Sequence, residues 1–240
     1  MKITFRLNMC LLIIVAILLL SFSAYAQNCK SYYYLLNNAK IEMTLFDQKN
    51  NADNKVVYNI SDVNNADGNT NSTIHSEMFD KKGNSISKGE GKFVCRESNI
   101  SVAMQMSMPG NSMDRFKGME VKAQDAYLNY PAAINTGDVL EEVQFNMDIY
   151  NSGILYSKVD FKITNRKVEG KESITSSIGT WECYKITYDA ALKVTMLGIG
   201  IPVNMKAIEW FAPGFGVVKS ETYNKKGKFM GSTMITAFSK

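Results

Sequence analysis

The sequence predicts an all-β chain, mainly antiparallel, in which a curved meander sheet forms an open or half barrel with at most one or two short helices. Three observations carry that prediction. Turn signals rich in Gly, Asn, Asp and Pro recur at short intervals, and no long 3.6-residue apolar period appears between them. From Ile100 to Met108, Val102, Met104, Met106 and Met108 alternate with Ala103, Gln105 and Ser107, the period of two that places one apolar face on a strand. The third is a repeated device: Glu77 to Gly83 (E-M-F-D-K-K-G) has nearly the form of Glu221 to Gly227 (E-T-Y-N-K-K-G). Each reads as a strand running into an Asx-Lys-Lys-Gly turn. Glycine closes the turn because it adopts the left-handed conformation without steric cost, and the leading Asp or Asn bonds the backbone two residues on.

Taken in order, Tyr32-Tyr33-Tyr34 precedes strands at Ile41–Phe46 and Val56–Ile60, and the polar run Asp62–Asn71 reads as a loop. Thr73–Phe79 and Ser85–Cys95 flank the first Asx turn. Pro109-Gly110 ends the alternating methionine strand, and Ser112–Lys117 is a short helix candidate capped by Asn111 or Ser112. Met119–Gln124 resumes strand, Asn129–Asp138 is a long loop, and Val143–Tyr150 and Ile154–Thr164 form a hairpin around Asn151-Ser152-Gly153. Val168–Ile174, Trp181–Tyr188 and Leu192–Leu197 follow, then an apolar loop at Met196–Met205. The pair from Trp210 to Phe238, entered through Pro213-Gly214 and Gly216, completes the sheet.

The N-terminus predicts an address. Lys2 and Arg6 precede an apolar run from Met9 to Leu20, and Ala24-Tyr25-Ala26 supplies a small-x-small cleavage pattern, so residues 1–26 read as a secretion signal cut after Ala26. The run is short for a bilayer span, and no integral membrane segment is expected after cleavage. Residues 27–240 then form a single β-rich domain, periplasmic or secreted, expected to be monomeric. The full chain carries a formal charge of +4, two units of which belong to the signal, so net charge argues for neither nucleic acid nor an acidic membrane surface. Cys29, Cys95 and Cys183 remain; an oxidising compartment allows any one pair to close and leaves one thiol.

No residue set specifies a reaction. His75 is the only histidine. It shares a strand face with Thr73, Glu77 and Phe79, and no nucleophile elbow accompanies it, so a solvated strand histidine outweighs a triad. One histidine and scattered cysteines do not make a zinc site, and the Met104-Met106-Met108 ladder suits core or pocket lining better than Cu(I). No cofactor is expected. Gly198-Ile199-Gly200-Ile201-Pro202 lacks the helix and βαβ setting of a nucleotide loop.

The run W-F-A-P-G-F-G-V-V-K-S-E from Trp210, with G-T-W-E-C-Y-K-I-T-Y-D at Gly179–Asp189, resembles bacterial envelope proteins of the DUF3108-like group, some labelled TapB-family. The likeness extends to Cys29, the D-K-K-G hairpin and the closing G-S-T-M-I-T-A-F-S-K. It implies a half-barrel similar to the LolA/LolB lipoprotein carriers and supplies no catalytic residues. The expectation is a non-enzymatic envelope protein holding an apolar or lipid-like ligand in a cupped sheet, through Met104, Met106, Met108, Leu197, Ile199, Ile201 and Trp210. The alternative is an envelope scaffold or protein-partner-binding module, favoured if the barrel interior is filled.

Overall fold

The structure, a computed structural model, describes residues 29–66, 68–104, 119–196 and 198–240. The expected signal at 1–26 and the short helix at 112–117 lie outside the described residues. Thirteen strands make one antiparallel sheet: β1 (Lys40–Phe46), β2 (Ala52–Ala66), β3 (Asn69–Phe79), β4 (Ser85–Arg96), β5 (Asn99–Ala103), β6 (Glu120–Ala123), β7 (Tyr127–Tyr130), β8 (Val143–Asn151), β9 (Ile154–Ser176), β10 (Gly179–Met196), β11 (Ile199–Ala212), β12 (Gly216–Asn224) and β13 (Phe229–Ser239). Their spatial order is β6-β8-β9-β10-β11-β12-β13-β1-β2-β3-β4-β5-β7. The sheet curls into a half-barrel. Its two edges, β6 and β7, are consecutive in the chain and joined only by residues 124–126. Four Cα steps reach at most about 14 Å, so the edges must come round towards each other.

Strand alternation sorts the faces. On β1, Ile41 and Met43 are buried while Lys40 is exposed and Glu42 half-exposed; Tyr58 and Ile60 of β2 continue the inner face, and Lys55 and Asn59 the outer. Two 3-10 turns, Cys29–Ser31 and Tyr33–Leu35, precede the first strand. They carry the chain into the half-barrel: Tyr32, Tyr33, Tyr34 and Leu35 are all buried. Cys29 is joined to Cys95 on β4, leaving Cys183 as the free, buried thiol.

Three expectations are corrected. Within the polar run, residues 62–66 and 69–71 are strand, with β2 and β3 paired through Ala66↔Asn69; its polarity reflects exposed faces beyond the core. The apolar run from Met196 to Met205 is a hairpin, because β11 begins at Ile199 and pairs with β10 throughout. Pro202 fits there because β12 pairs with β11 only from Met205 onward, so no ladder bond is asked of the missing N–H. The two strands expected on either side of Asn165 are one, β9, and those on either side of Asp189 are also one, β10.

The join in β9 is a β-bulge. Thr164 pairs with Asp189 and Lys167 with Thr187, so Asn165 and Arg166 together face Tyr188 alone. Asn165 takes a positive φ of 55°, which asparagine tolerates better than most side chains. The extra residue shifts the inward phase from Val159, Phe161 and Ile163 to Arg166 and Val168.

Candidate functional site

The bulge turns an arginine into the core. Arg166 is fully buried, with Nη1 donating to the carbonyls of Asn129 (2.9 Å) and Glu141 (3.1 Å). Its Nη2 stands 3.7 Å from Oε1 of Glu209, an ion pair too long for a direct hydrogen bond. Glu209 is 4% exposed, and its Oε2 accepts from the Tyr130 hydroxyl at 3.1 Å. Among the described residues, the Nε–Nη2 edge of Arg166 and Oε1 of Glu209 meet no hydrogen-bond partner. Burial pushes the Glu209 carboxyl above its ordinary range, and the Arg166 charge offsets this only in part.

Aromatic rings close over this pair. Tyr130 stacks on Phe211 with centroids 4.4 Å apart and planes 9° from parallel. Tyr32 stands between opposite walls, 6.1 Å from Phe93 on β4 and 6.2 Å from Phe211 on β11. The neighbouring turn is anchored on both sides too. Tyr33 donates its hydroxyl to the Val217 carbonyl (2.9 Å) and its N–H to that of Phe215 (3.2 Å), and the Ser72 hydroxyl donates to the Tyr34 carbonyl. The phenols of Tyr33, Tyr34, Tyr58 and Tyr188 are all driven above their usual range by burial. The chain's own N-terminal segment therefore occupies the cup.

The residues singled out in the sequence separate in space. Met104 is fully buried in this core, with its N–H donating to the Ala126 carbonyl (2.8 Å). Trp210 is buried on the opposite face of β11 from Glu209 and Phe211. There its indole N–H donates to Glu172 (2.7 Å), and the ammonium groups of Lys219 and Lys185 lie 4.5 and 5.8 Å from the ring. That is a cation–π setting, and the Glu172 carboxylate is held below its ordinary range by hydrogen bonds from Lys185 and Trp210. Ile199 is 72% exposed near the tip of the β10–β11 hairpin. Met106, Met108 and Leu197 lie outside the described residues, as does the Ile201 side chain.

His75 has company that strand spacing alone did not reveal. Its Nε2 is 3.1 Å from the Ser61 hydroxyl and its Nδ1 3.5 Å from Oε2 of Glu90, a serine–histidine–acid order across β2, β3 and β4. The arrangement lies on an open strand face, with His75 and Glu90 side chains 50% and 65% exposed. Asn59 pairs with His75 and His75 with Glu90, while the β2–β3 ladder is interrupted just after Ser61, where Asp62 takes a positive φ of 52°. The cavities described lie on the outer surface too. One of about 280 Å³ is lined by Lys40, Glu42, Lys55, Val57, Glu77 and Phe79, and one of about 70 Å³ by Glu90, Lys92, Asp125 and Tyr127 among others.

Among the described residues, no group of three or more His, Cys, Asp or Glu converges as metal ligands. No helix among them is long and apolar enough to cross a membrane.

A family model described as DUF3108-like matches residues 37–235. The fold is similar to two crystal structures. One, from Parabacteroides distasonis, is provisionally named a lipoprotein; it is 20% identical, with a TM-score of 0.73 over 89% of this chain and 100% of that one. The other, from Bacteroides fragilis, is provisionally named an exported protein with a YmcC-like fold; it is 17% identical, with a TM-score of 0.70 over 85% of this chain and 97% of that one. No curated protein sequence matches the chain.

Proposed function

The chain belongs to the DUF3108-like family, and from that premise we propose that it is an exported, non-enzymatic module of the cell envelope that binds its partner through its outer surface. The observation that carries the reading is Tyr32, whose ring contacts both Phe93 and Phe211 and so spans the cup in which an apolar ligand would otherwise sit. A lipid carrier of LolA/LolB type needs an open cup. Here the tether from Cys29 to Cys95 holds the filling segment in place. That bond also supports an oxidising compartment, in keeping with the names of the two similar structures.

The test is native mass spectrometry of the mature protein after incubation with extracted envelope lipids. The expected result is a bare polypeptide mass, less two hydrogens for the disulfide. A lipid retained one-to-one and released on unfolding overturns the reading in favour of a luminal ligand.

A further inference from the structure

The connections at the two ends of the sheet differ in charge. Antiparallel pairing places the β1–β2, β3–β4, β8–β9, β10–β11 and β12–β13 turns at one end, and Phe46↔Ser232 and Lys55↔Phe79 set the first, second and last side by side. Those three turns carry Lys49, Lys81, Lys82, Lys225, Lys226 and Lys228, all exposed. The described connections at the opposite end, residues 68, 97–98, 131–142, 177–178 and 213–215, carry no lysine or arginine but do carry Glu97, Asp138, Glu141 and Glu142.

The two acids of the basic turns are turned inward. Oδ1 of Asp47 accepts from the N–H groups of Lys49 and Asn51, and Oδ1 of Asp80 from those of Lys82 and Asn84, all at 2.8 Å. Oδ1 of Asn224 does the same for Lys226 and Lys228 at 2.9 and 3.0 Å, without a charge. None of the six ammonium groups is ion-paired with a carboxylate among the described residues. The same turns that shape the hairpins thus hold their lysines outward and unneutralised.

Apolar tips stand at this same end. Met205 pairs with the last residue of β12, Asn224, so residues 199–204 project beyond it by about 20 Å at strand rise. The β8–β9 tip lies alongside, through Met196↔Ser157. Ile199 (72%), Ile154 (73%), Leu155 (42%) and Val203 (41%) are exposed there. We propose that this end of the half-barrel docks on an anionic lipid bilayer, with the lysine turns over phosphate headgroups and the Ile154 and Ile199 tips entering the interface. The proposal names the partner of the outer-surface reading and rests on it. Exposed basic residues beside projecting apolar ones are complementary to a bilayer on two counts, charge and depth; a soluble acidic protein would answer only the first.

The test is sedimentation of the mature protein with phosphatidylglycerol–phosphatidylcholine vesicles against vesicles of phosphatidylcholine alone. Binding is expected to the anionic vesicles and to weaken steeply with salt, because exposed charges are screened within about 8 Å at physiological ionic strength. Lys225→Gln/Lys226→Gln/Lys228→Gln should weaken it roughly a hundredfold, as three near-surface lysines imply. Ile154→Ser/Ile199→Ser should weaken it at fixed charge, while Lys92→Gln/Lys162→Gln/Lys167→Gln, the same loss of charge elsewhere on the sheet, should leave it within twofold. No binding, equal binding to both vesicles, or equal loss in the two lysine triples overturns the proposal alone. Soluble one-to-one lipid complexes left in the supernatant overturn the outer-surface reading, and this proposal with it.

Discussion

Arg166 Nη2 lies 3.7 Å from Glu209 Oε1, with the two side chains 0% and 5% exposed. Burial raises the Glu209 carboxyl above its ordinary value of 4.5, so the folded protein keeps this proton to a higher pH than the unfolded chain does. Between those two values the folded state binds more protons, and stability must fall as pH rises. The contribution is fully present below pH 4.5 and lost as pH climbs through the raised value. Glu209→Gln removes it. The difference in unfolding free energy between wild type and Glu209→Gln, from urea titrations at a series of pH values, should fall as pH rises from 4.5; a flat difference would show that Arg166 compensates the burial completely.

Arg166 also ties the Asn129 and Glu141 carbonyls, on β7 and ahead of β8, to β9. Arg166→Met leaves a buried carboxylate without its partner and releases two partly buried carbonyls, and should cost about 3–5 kcal/mol. Adding Glu209→Leu removes the stranded charge, so the double variant should be more stable than the sum of the singles by 1 kcal/mol or more, on the order expected of residues in one network. Additivity of the two would mean that the pair is not coupled.

Much of the fold is legible in the sequence because hairpin chemistry is local. The Asp80 and Asn224 turns form as read, with Gly83 and Gly227 at φ of 84° and 78°. A third copy at Asp47 escapes notice because Gln48 stands where the others have lysine and Asn50, at φ 63°, where they have glycine. The site is less legible because it depends on single-residue phase. Arg166 reads as an outward residue by simple alternation from Val159, Phe161 and Ile163, and the bulge at Asn165 reverses it. Trp210, one residue from Glu209 and Phe211, faces the other way among lysines. Tyr32-Tyr33-Tyr34 shows no period at all, and its place in the cup follows from contacts with Phe93 on β4 and Phe211 on β11, far apart in sequence.

The cysteines divide into one bond and one hidden thiol. Cys29–Cys95 closes a separation of 66 residues, so Cys29→Ala/Cys95→Ala should cost about 4 kcal/mol on the loop-entropy account. Cys183 is fully buried, and burial pushes its thiol up to about 12, so it offers almost no thiolate at neutral pH. An aromatic disulfide reagent should find no reactive thiol in the native protein and one per mature chain after unfolding without reductant. Rapid labelling of the native protein would contradict the enclosure of Cys183.

The N-terminal segment can also be tested through the backbone that meets it. A Cβ on Gly216 would come 2.6 Å from Cε1 of Tyr33, and the glycine's φ of 131° is itself unfavourable for a side chain. Tyr33 has little room to yield, being 1% exposed and held by Val217 and Phe215. Gly83 has a positive φ as well, but open space around it. Gly83→Ala should therefore cost about 1 kcal/mol of backbone strain alone, while Gly216→Ala adds overpacking worth about 1–3 kcal/mol. If the two substitutions lower the urea midpoint equally, Tyr33 must move aside freely, and the cup is not firmly filled. If Gly216→Ala is the costlier and Tyr33→Ala in the same chain relieves much of the excess, the tyrosine segment is part of the core, and binding belongs to the outside of the sheet.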